Sequence, residues 1–432
     1  MLGETELPER VRALRGMGAV LPVLEGAPRC YLVGGAVRDL LLARAPVDVD
    51  ITVEGDAAAV ADRVAEALGG EVIVHERFGT ATVTAGGVDA VNLARTRREA
   101  YPVPGALPEV EPAGLGEDLA RRDFTINAIA LALNGDRIGG LVDPHDGRGD
   151  LAAGLVRVLH ERSFVDDPTR LLRAVRYAAR LGFALEPTTE SRLREAVASG
   201  TPAMVSGPRI RDELLDLLAE PEAPRAVGLL AELGIDRALH RDLSADSELV
   251  ASAQLGAADT GADPVLVALA AMSVGRVGHG PDVAEPAAAA AVGPGASRGG
   301  AALAAWIDRL GLPAGARDDV VRAARRAPEL TVELRRGLRP SQLRGLLDGE
   351  PAEALALALA LGAPAEPVLE YVSRLRGTRL EITGADLIAA GLPESPALGR
   401  ALDETLARKL DGEVGGREEQ LRVALSVARG EA

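Results

Sequence analysis

The chain has 432 residues, 47% hydrophobic and 26% charged, a globular composition over about three domains' length that excludes wholesale disorder, collagen and a coiled-coil rod. Aromatic residues make up only 2%, so Leu, Val and Ala must build the cores, which suits packed helices better than an aromatic-rich β-sandwich. With 48 basic and 64 acidic residues the net charge is −16, and nucleic-acid binding would have to come from a segregated basic patch.

In chain order, residues 30–95 read as mixed α/β. Residues 31–33 form a short strand running into Gly34-Gly35, and residues 36–42 read as a helix opening on those glycines. Val49–Val53 alternates as a strand, and Ala57–Leu68 is an amphipathic helix stopped by Gly69-Gly70. Glu71–His75 and Thr80–Thr84 are further strands, and Gly86-Gly87 turns the chain into another over residues 88–93. Residues 101–114, rich in Pro and Gly, read as loop. Beyond about residue 150 the strand signals nearly stop. Residues 168–181 read as a helix with Leu171, Leu172, Val175 and Ala178 on one face, and helical segments follow. Residues 277–301 are low-complexity and read as an insertion.

Cys30 is the single cysteine, so no internal disulfide or Cys-ligated zinc is available, and the five histidines show no metal spacing. Residues 1–15 are charged with no apolar signal core. The longest uncharged stretches, around residues 264–275 and 354–365, fall short of the ~18 residues that span a bilayer. A cytoplasmic protein with no membrane partner is expected.

Four constellations carry chemistry. Gly34-Gly35-Ala36-Val37-Arg38-Asp39 lies between a strand and a helix. Glycines there let backbone N–H groups approach a phosphate, the helix N-terminus adds partial positive charge, and Arg38 adds a fork. Taken alone, the segment equally suits a plain tight turn. Asp48-Val49-Asp50 opens a strand. Alternate strand residues share a face, so the two carboxylates repel unless a cation lies between them, and such oxygen ligands beside a triphosphate suit Mg²⁺. A solvated strand start would look the same. Asp89, on a later strand, is a candidate third carboxylate or a surface aspartate. In Arg121-Arg122-Asp123-Phe124-Thr125-Ile126-Asn127-Ala128, two arginines precede an apolar run with an embedded Asn. In Asp166-Asp167-Pro168-Thr169-Arg170, Pro168 suits a first helical turn and either aspartate can cap it. Arg170, Arg173 and Arg176 then recur within one helical sector, or form a solvated basic stripe.

In this order the four segments resemble the class II tRNA nucleotidyltransferases, the bacterial CCA-adding enzymes, and the related bacterial poly(A) polymerases. Residues 378–414, with Ile382-Thr383-Gly384-Ala385-Asp386-Leu387-Ile388 and Leu410-Asp411-Gly412-Glu413, resemble the family's tail. The resemblance implies an α/β nucleotidyltransferase head, a small mixed sheet with helices, over residues 1–150. An all-α neck (151–215, nucleobase recognition), body (216–340, with the 277–301 insertion) and tail (341–432, tRNA binding) would follow. It implies template-independent addition of C and A from CTP and ATP to the tRNA 3′ end, with release of pyrophosphate. Asp48 and Asp50 would be the catalytic carboxylates holding Mg²⁺. Gly34, Gly35, Arg38 and Arg122 would sit on the nucleotide's phosphates and sugar, and Arg173 and Arg176 on nearby phosphate or base edges.

The same resemblance puts Asp167 and Arg170 on the base, and hydrogen bonding explains why. C and A both offer an amino donor beside a ring-nitrogen acceptor, which a carboxylate and a guanidinium match. U and G present a carbonyl and an N–H there, and each mispaired buried group costs ~1–3 kcal/mol. Asp166 is the alternative acceptor. Binding of tRNA would fall to residues 157–180, with six arginines against three acids, or to the arginines of residues 317–344. One region departs from the commonest family pattern: where many relatives carry a charged flexible loop, this chain reads Pro102-Val103-Pro104-Gly105-Ala106-Leu107-Pro108. That variant resembles a subgroup in which some members add only A, and others only C-C or all three. A partial enzyme is therefore the nearest rival reading, ahead of a poly(A) polymerase.

Overall fold

A computed structural model describes residues 3–430 apart from 47, 77–78, 89, 137 and 275–295, with the backbone alone over 296–302. Asp89 and residues 277–295 of the low-complexity segment lie outside the described residues. The chain divides into two compact units, Met1–Glu222 with Glu232–Leu239, and Ala223–Ala231 with His240–Ala432.

The first unit opens with helices α1 (Leu7–Ala13) and α2 (Met17–Leu24) and enters its sheet at β1 (Cys30–Val33). Then come α3 (Gly35–Leu41), β2 (Val49–Val53), α4 (Ala57–Leu68), β3 (Glu71–His75), β4 (Thr80–Thr84) and β5 (Val91–Arg95). A two-stranded ribbon, β6 (Arg97–Ala100) and β7 (Glu109–Pro112), and α5 (Leu115–Ala120) lead back to β8 (Ala130–Ala132) and β9 (Leu141–Val142). The sheet order is β3-β4-β5-β2-β1-β8-β9. β2 and β5 are parallel, and the other neighbours are antiparallel.

Local sequence accounts for these elements. β1 is an unbroken run, Cys-Tyr-Leu-Val, and every residue of it is buried, as a strand covered on both faces requires. α4 starts at Asp56, whose carboxylate accepts from the N–H groups of Ala58 (3.0 Å) and Ala59 (3.1 Å). It buries Val60, Ala61, Val64 and Ala65 as one stripe and stops at Gly69 in the left-handed region. Burying each of those valines contributes ~1.5–3 kcal/mol.

After the sheet come α6 (Gly147–Ala153), β10 (Leu155–Val156), α7 (Ser163–Asp166), α8 (Arg170–Leu181), β11 (Ala184–Leu185, parallel to β10), α9 (Pro187–Ala198) and α10 (Gly207–Ala219). The second unit is helical over its described residues. Helices Ser247–Thr260, Pro264–Ser273, Ala314–Glu333 and Ala352–Ala360 bury mainly Ala, Val and Leu. At Gly256 a Cβ would lie 3.3 Å from the Ala356 carbonyl oxygen, so close backbone approach replaces aromatic bulk here. A smaller core of Ile382, Leu387, Leu398 and Ala424 closes the C-terminal end. Among the described residues no helix is long and apolar enough to cross a membrane.

The structure corrects several expectations. Residues 101–114 are not all loop: Glu109–Pro112 pairs with Arg97–Ala100, Arg98 facing Glu111 across the ribbon at 2.6 Å. That pairing partner lies too far along the chain for a local pattern to show. The strand expected at residues 88–93 is Val91–Arg95. Pro168 precedes α8, which begins at Arg170. Asp166 ends α7, and Asp167 caps only a tight turn, accepting from the Thr169 N–H at 3.1 Å.

Candidate active site

Gly34 joins β1 to α3 at φ 69°, ψ −135°, a conformation that essentially only glycine adopts. A Cβ there would lie 3.0 Å from Arg122 Nη1, so the bare backbone makes room for that guanidinium. Asp50 sits on β2 beside this turn, in register with Asn92 of β5, which faces Thr82 of β4. Thr82 Oγ1 donates to Asn92 Oδ1 (3.0 Å), and Asn92 Nδ2 donates to Asp50 Oδ1 (3.1 Å). Three strands thus hold the carboxylate. Asp48 is exposed.

Burial pushes the Asp50 carboxyl above its usual range; Asn92 and Arg122 oppose the shift, and the Asp48 charge adds to it. A half-buried carboxylate with a second one as neighbour and no cation fully neutralising either is the donor chemistry of a hard divalent ion. Among the described residues no group of three or more His, Cys, Asp or Glu side chains could hold a metal.

Asp50 opens onto a cavity of about 300 Å³, also lined by Gly34, Gly35, Arg122, Asp167, Arg170 and Arg173. One wall is built on Asp118 of α5, which is fully buried. Asp118 accepts from Arg121 Nε (3.0 Å) and Nη2 (2.8 Å) and from Arg122 Nη2 (3.0 Å). Burial pushes this carboxyl up, but Arg121 and Arg122 outweigh it and hold it below the usual range. Arg122 lines the cavity, and its Nε is buried without a hydrogen-bond partner. Beyond Arg121, Glu99 Oε1 accepts from Arg121 Nη1 (2.8 Å) and Glu99 Oε2 from the Tyr101 hydroxyl (3.0 Å). Burial, and then the Glu99 charge, raise the Tyr101 phenol.

The opposite wall is α8. Arg170 donates to Ser163 Oγ and to the Arg121 carbonyl, both at 2.7 Å, so its guanidinium is fixed. Arg173 grips Asp123 Oδ2 through Nε (2.9 Å) and Nη2 (2.6 Å) and reaches Glu213 on α10 at 3.0 Å. Burial pushes the Asp123 carboxyl up, but Arg173 and Asn127 outweigh it and bring it to about 2. Asp167 Oδ1 accepts from Thr169 Oγ1 (2.6 Å) and Arg209 Nη2 (2.7 Å).

Two of the expected site arginines are placed elsewhere. Arg38 is 2% exposed; it donates to Asp39 and Asn127, each at 2.8 Å, and packs over the Tyr177 ring. Arg176 turns to Glu213 and Asp216. Within the expected basic stripe Arg180 likewise lies beside acids from distant parts of the chain, Asp39 and Glu220. Asp166 is engaged by Arg162 at 2.9 Å.

Sequence reasoning did not single out Glu99, Tyr101, Asp118, Tyr177 or Arg209. The chain holds only four tyrosines and two of them line this cavity, so aromatic scarcity was a usable signal. Asp123 and Asn127 lay inside the Arg121-to-Ala128 segment but had no visible partner. Chemically, the cavity offers the Asp50 carboxylate for a cation, a glycine turn beside the Arg122 guanidinium for phosphate, and fixed acidic and basic groups opposite, while Asp48, just before β2, is not among its lining residues.

A mixed-sheet unit with this turn and carboxylate pair is the architecture of a polymerase-type nucleotidyl-transfer head. Residues 30–157 match the poly A polymerase head domain family, and residues 182–246 match a family described as the probable RNA and SrmB-binding site of polymerase A. The A-adding tRNA nucleotidyltransferase of Geobacter sulfurreducens is 35% identical over 97% of this chain and 47% of its own length. The CC-adding tRNA nucleotidyltransferase of Deinococcus radiodurans is 33% identical over 91% of this chain and 88% of its own length. The structure of the Thermotoga maritima CCA-adding enzyme complexed with tRNA is similar at a TM-score of 0.74 and 27% identity, covering 98% of each chain. The chain spans about half the length, or less, of the first curated relatives it matches (47%, 56% and 21%). It belongs to the tRNA nucleotidyltransferase family, whose members include CCA-, CC- and A-adding enzymes.

Proposed function

We propose that this chain is a template-independent tRNA nucleotidyltransferase that adds C and A from CTP and ATP to a tRNA 3′ end. The observation that carries this reading is the meeting of Asp50, Gly34, Arg122 and Asp167 around one cavity. The tRNA 3′-hydroxyl attacks the nucleotide's α-phosphorus, the α–β phosphoanhydride bond breaks, and pyrophosphate leaves. Asp48 and Asp50 would hold Mg²⁺, which supplies charge for the attacking and leaving oxygens. The amides at Gly34-Gly35 and the Arg122 guanidinium hold the phosphates and sugar. Arg173, locked by Asp123 and Glu213, keeps its fork beside the nucleotide without side-chain ordering at binding. Asp167 accepts from the exocyclic amino group of C or A, while Arg170 donates to the ring nitrogen.

The test is incubation with tRNA truncated before its terminal CCA, and with tRNA ending in C-C, in CTP alone, ATP alone or both. Addition of C-C with CTP and of C-C-A with both nucleotides supports the reading, and no incorporation overturns it. A partial enzyme is the second reading. Two curated relatives at 33–35% identity over nine-tenths or more of this chain are named A-adding and CC-adding, and residues 102–108 have the short Pro-rich form. A stop after C-C, or A added only to tRNA already ending in C-C, would establish it.

A further inference from the structure

Between β6 and β7 the chain runs Pro102-Val103-Pro104-Gly105-Ala106-Leu107-Pro108. Its three prolines have no N–H, so the loop's anchoring falls on few groups. The Gly105 N–H donates to the Asp166 carbonyl (3.3 Å), and the Gly105 carbonyl accepts from Arg209 Nη1 (2.9 Å). Gly105 has φ +72°, and a Cβ there would lie 3.0 Å from the Met204 carbonyl oxygen. Only glycine lets the loop seat so closely. Arg209, in the first turn of α10, uses its other terminal nitrogen on Asp167 Oδ1 (2.7 Å). Thr169 also donates to that oxygen, through N (3.1 Å) and Oγ1 (2.6 Å). One planar guanidinium therefore bridges a loop carbonyl and a cavity carboxylate, a span that the single ammonium of a lysine cannot reproduce.

We propose that Arg209 is a positioning residue for nucleotide selection, coupling the seat of the 102–108 loop at Gly105 to the orientation of Asp167. This rests on the reading of Asp167 as the acceptor that faces the incoming base. With Oδ1 saturated by Arg209 and Thr169, the carboxylate turns its other oxygen toward the cavity in one orientation. Without the bridge it rotates, and a rotating acceptor separates C and A from U and G less well.

The test measures kcat/KM for single incorporations of CTP, ATP, UTP and GTP by the full chain and four variants. Arg209→Gln is expected to cut the preference for cognate over UTP about tenfold, chiefly through KM for the cognate nucleotide. Gly105→Ala, which never touches a base, should shift the preference in the same direction, and the double variant should be no worse than the poorer single. Arg209→Lys should lose the preference while keeping tRNA affinity, which separates the bridge from its charge. Chymotrypsin should cleave at Tyr101 or Leu107 faster in Arg209→Gln and in Gly105→Ala, with Tm within about 2 °C of the parent. Unchanged discrimination in an active Arg209→Gln protein overturns the proposal, as does a uniform loss on all four nucleotides with lowered Tm. If Arg209→Gln does not fold, unchanged discrimination in Gly105→Ala overturns it alone. Failure of the parent protein to incorporate any nucleotide overturns the proposed function itself.

Discussion

Gly34 shows how much one absent side chain controls. Its φ of 69° and the Arg122 nitrogen 3.0 Å from where a Cβ would be make any substitution strain the backbone and displace the guanidinium together. Gly34→Ala should cost about 1–3 kcal/mol, read as a lower Tm, and should raise the KM for nucleotide about tenfold through Arg122. A normal KM would remove Arg122 from the phosphate site. The glycine turn was legible because its chemistry is written locally, a turn residue after a strand; of the two aspartates expected on one strand face, Asp50 lies in β2 at the cavity, whereas Asp48 is exposed just before the strand. Asp118 was not legible. It is an unremarkable acid in the sequence, and only the fold shows it buried under Arg121 and Arg122.

At the scale of the element, α8 was expected to display a basic face, and it instead docks Arg173, Arg176 and Arg180 against carboxylates. Arg173 meets Asp123, and Arg176 meets Glu213 and Asp216. These partners lie 40 or 50 residues away, which is why helical spacing suggested a solvated stripe. Arg176→Ala should therefore lower Tm while leaving tRNA affinity within about twofold; a large loss of affinity would restore the basic-stripe expectation. Asp123→Ala leaves Arg173 partly unpaired and should cost about 3 kcal/mol, measured by urea unfolding. The Asp123 carboxyl, at about 2 in the fold, is depressed from about 3.9 in the unfolded chain. Its contribution is full above about pH 4 and is lost as pH falls through about 2. Stability plotted from pH 5 to pH 2 should fall less steeply in Asp123→Asn than in the parent, and parallel curves would contradict the assignment. Strands and helices with a complete local signature, such as Glu71–His75 and Ala57–Leu68, were readable to the residue, whereas Glu109–Pro112 is a strand only because Arg97–Ala100 lies beside it.

The whole molecule is acidic, with 64 acidic against 48 basic residues, and many of its arginines are engaged in ion pairs. The aromatic-poor composition correctly pointed to helices packed through Ala, Val and Leu, as in the second unit. Composition did not reveal which cations stay free, because that depends on pairing in three dimensions. Binding of tRNA to such a chain should rest on a few local contacts. Three phosphate contacts would weaken affinity roughly 20- to 40-fold between 50 and 200 mM salt, measurable by filter binding. A salt-independent affinity would mean that recognition does not run through phosphates.

On the proposed reading the Asp48/Asp50 pair does chemistry rather than holding the fold. Asp50→Asn isolates it, because the change keeps the shape beside Asn92 and removes one charge. Incorporation on truncated tRNA should fall at least about 1000-fold, or about 4 kcal/mol of barrier, with Tm unchanged and tRNA affinity within about threefold. Retained incorporation, or an equal loss of tRNA affinity, would contradict it.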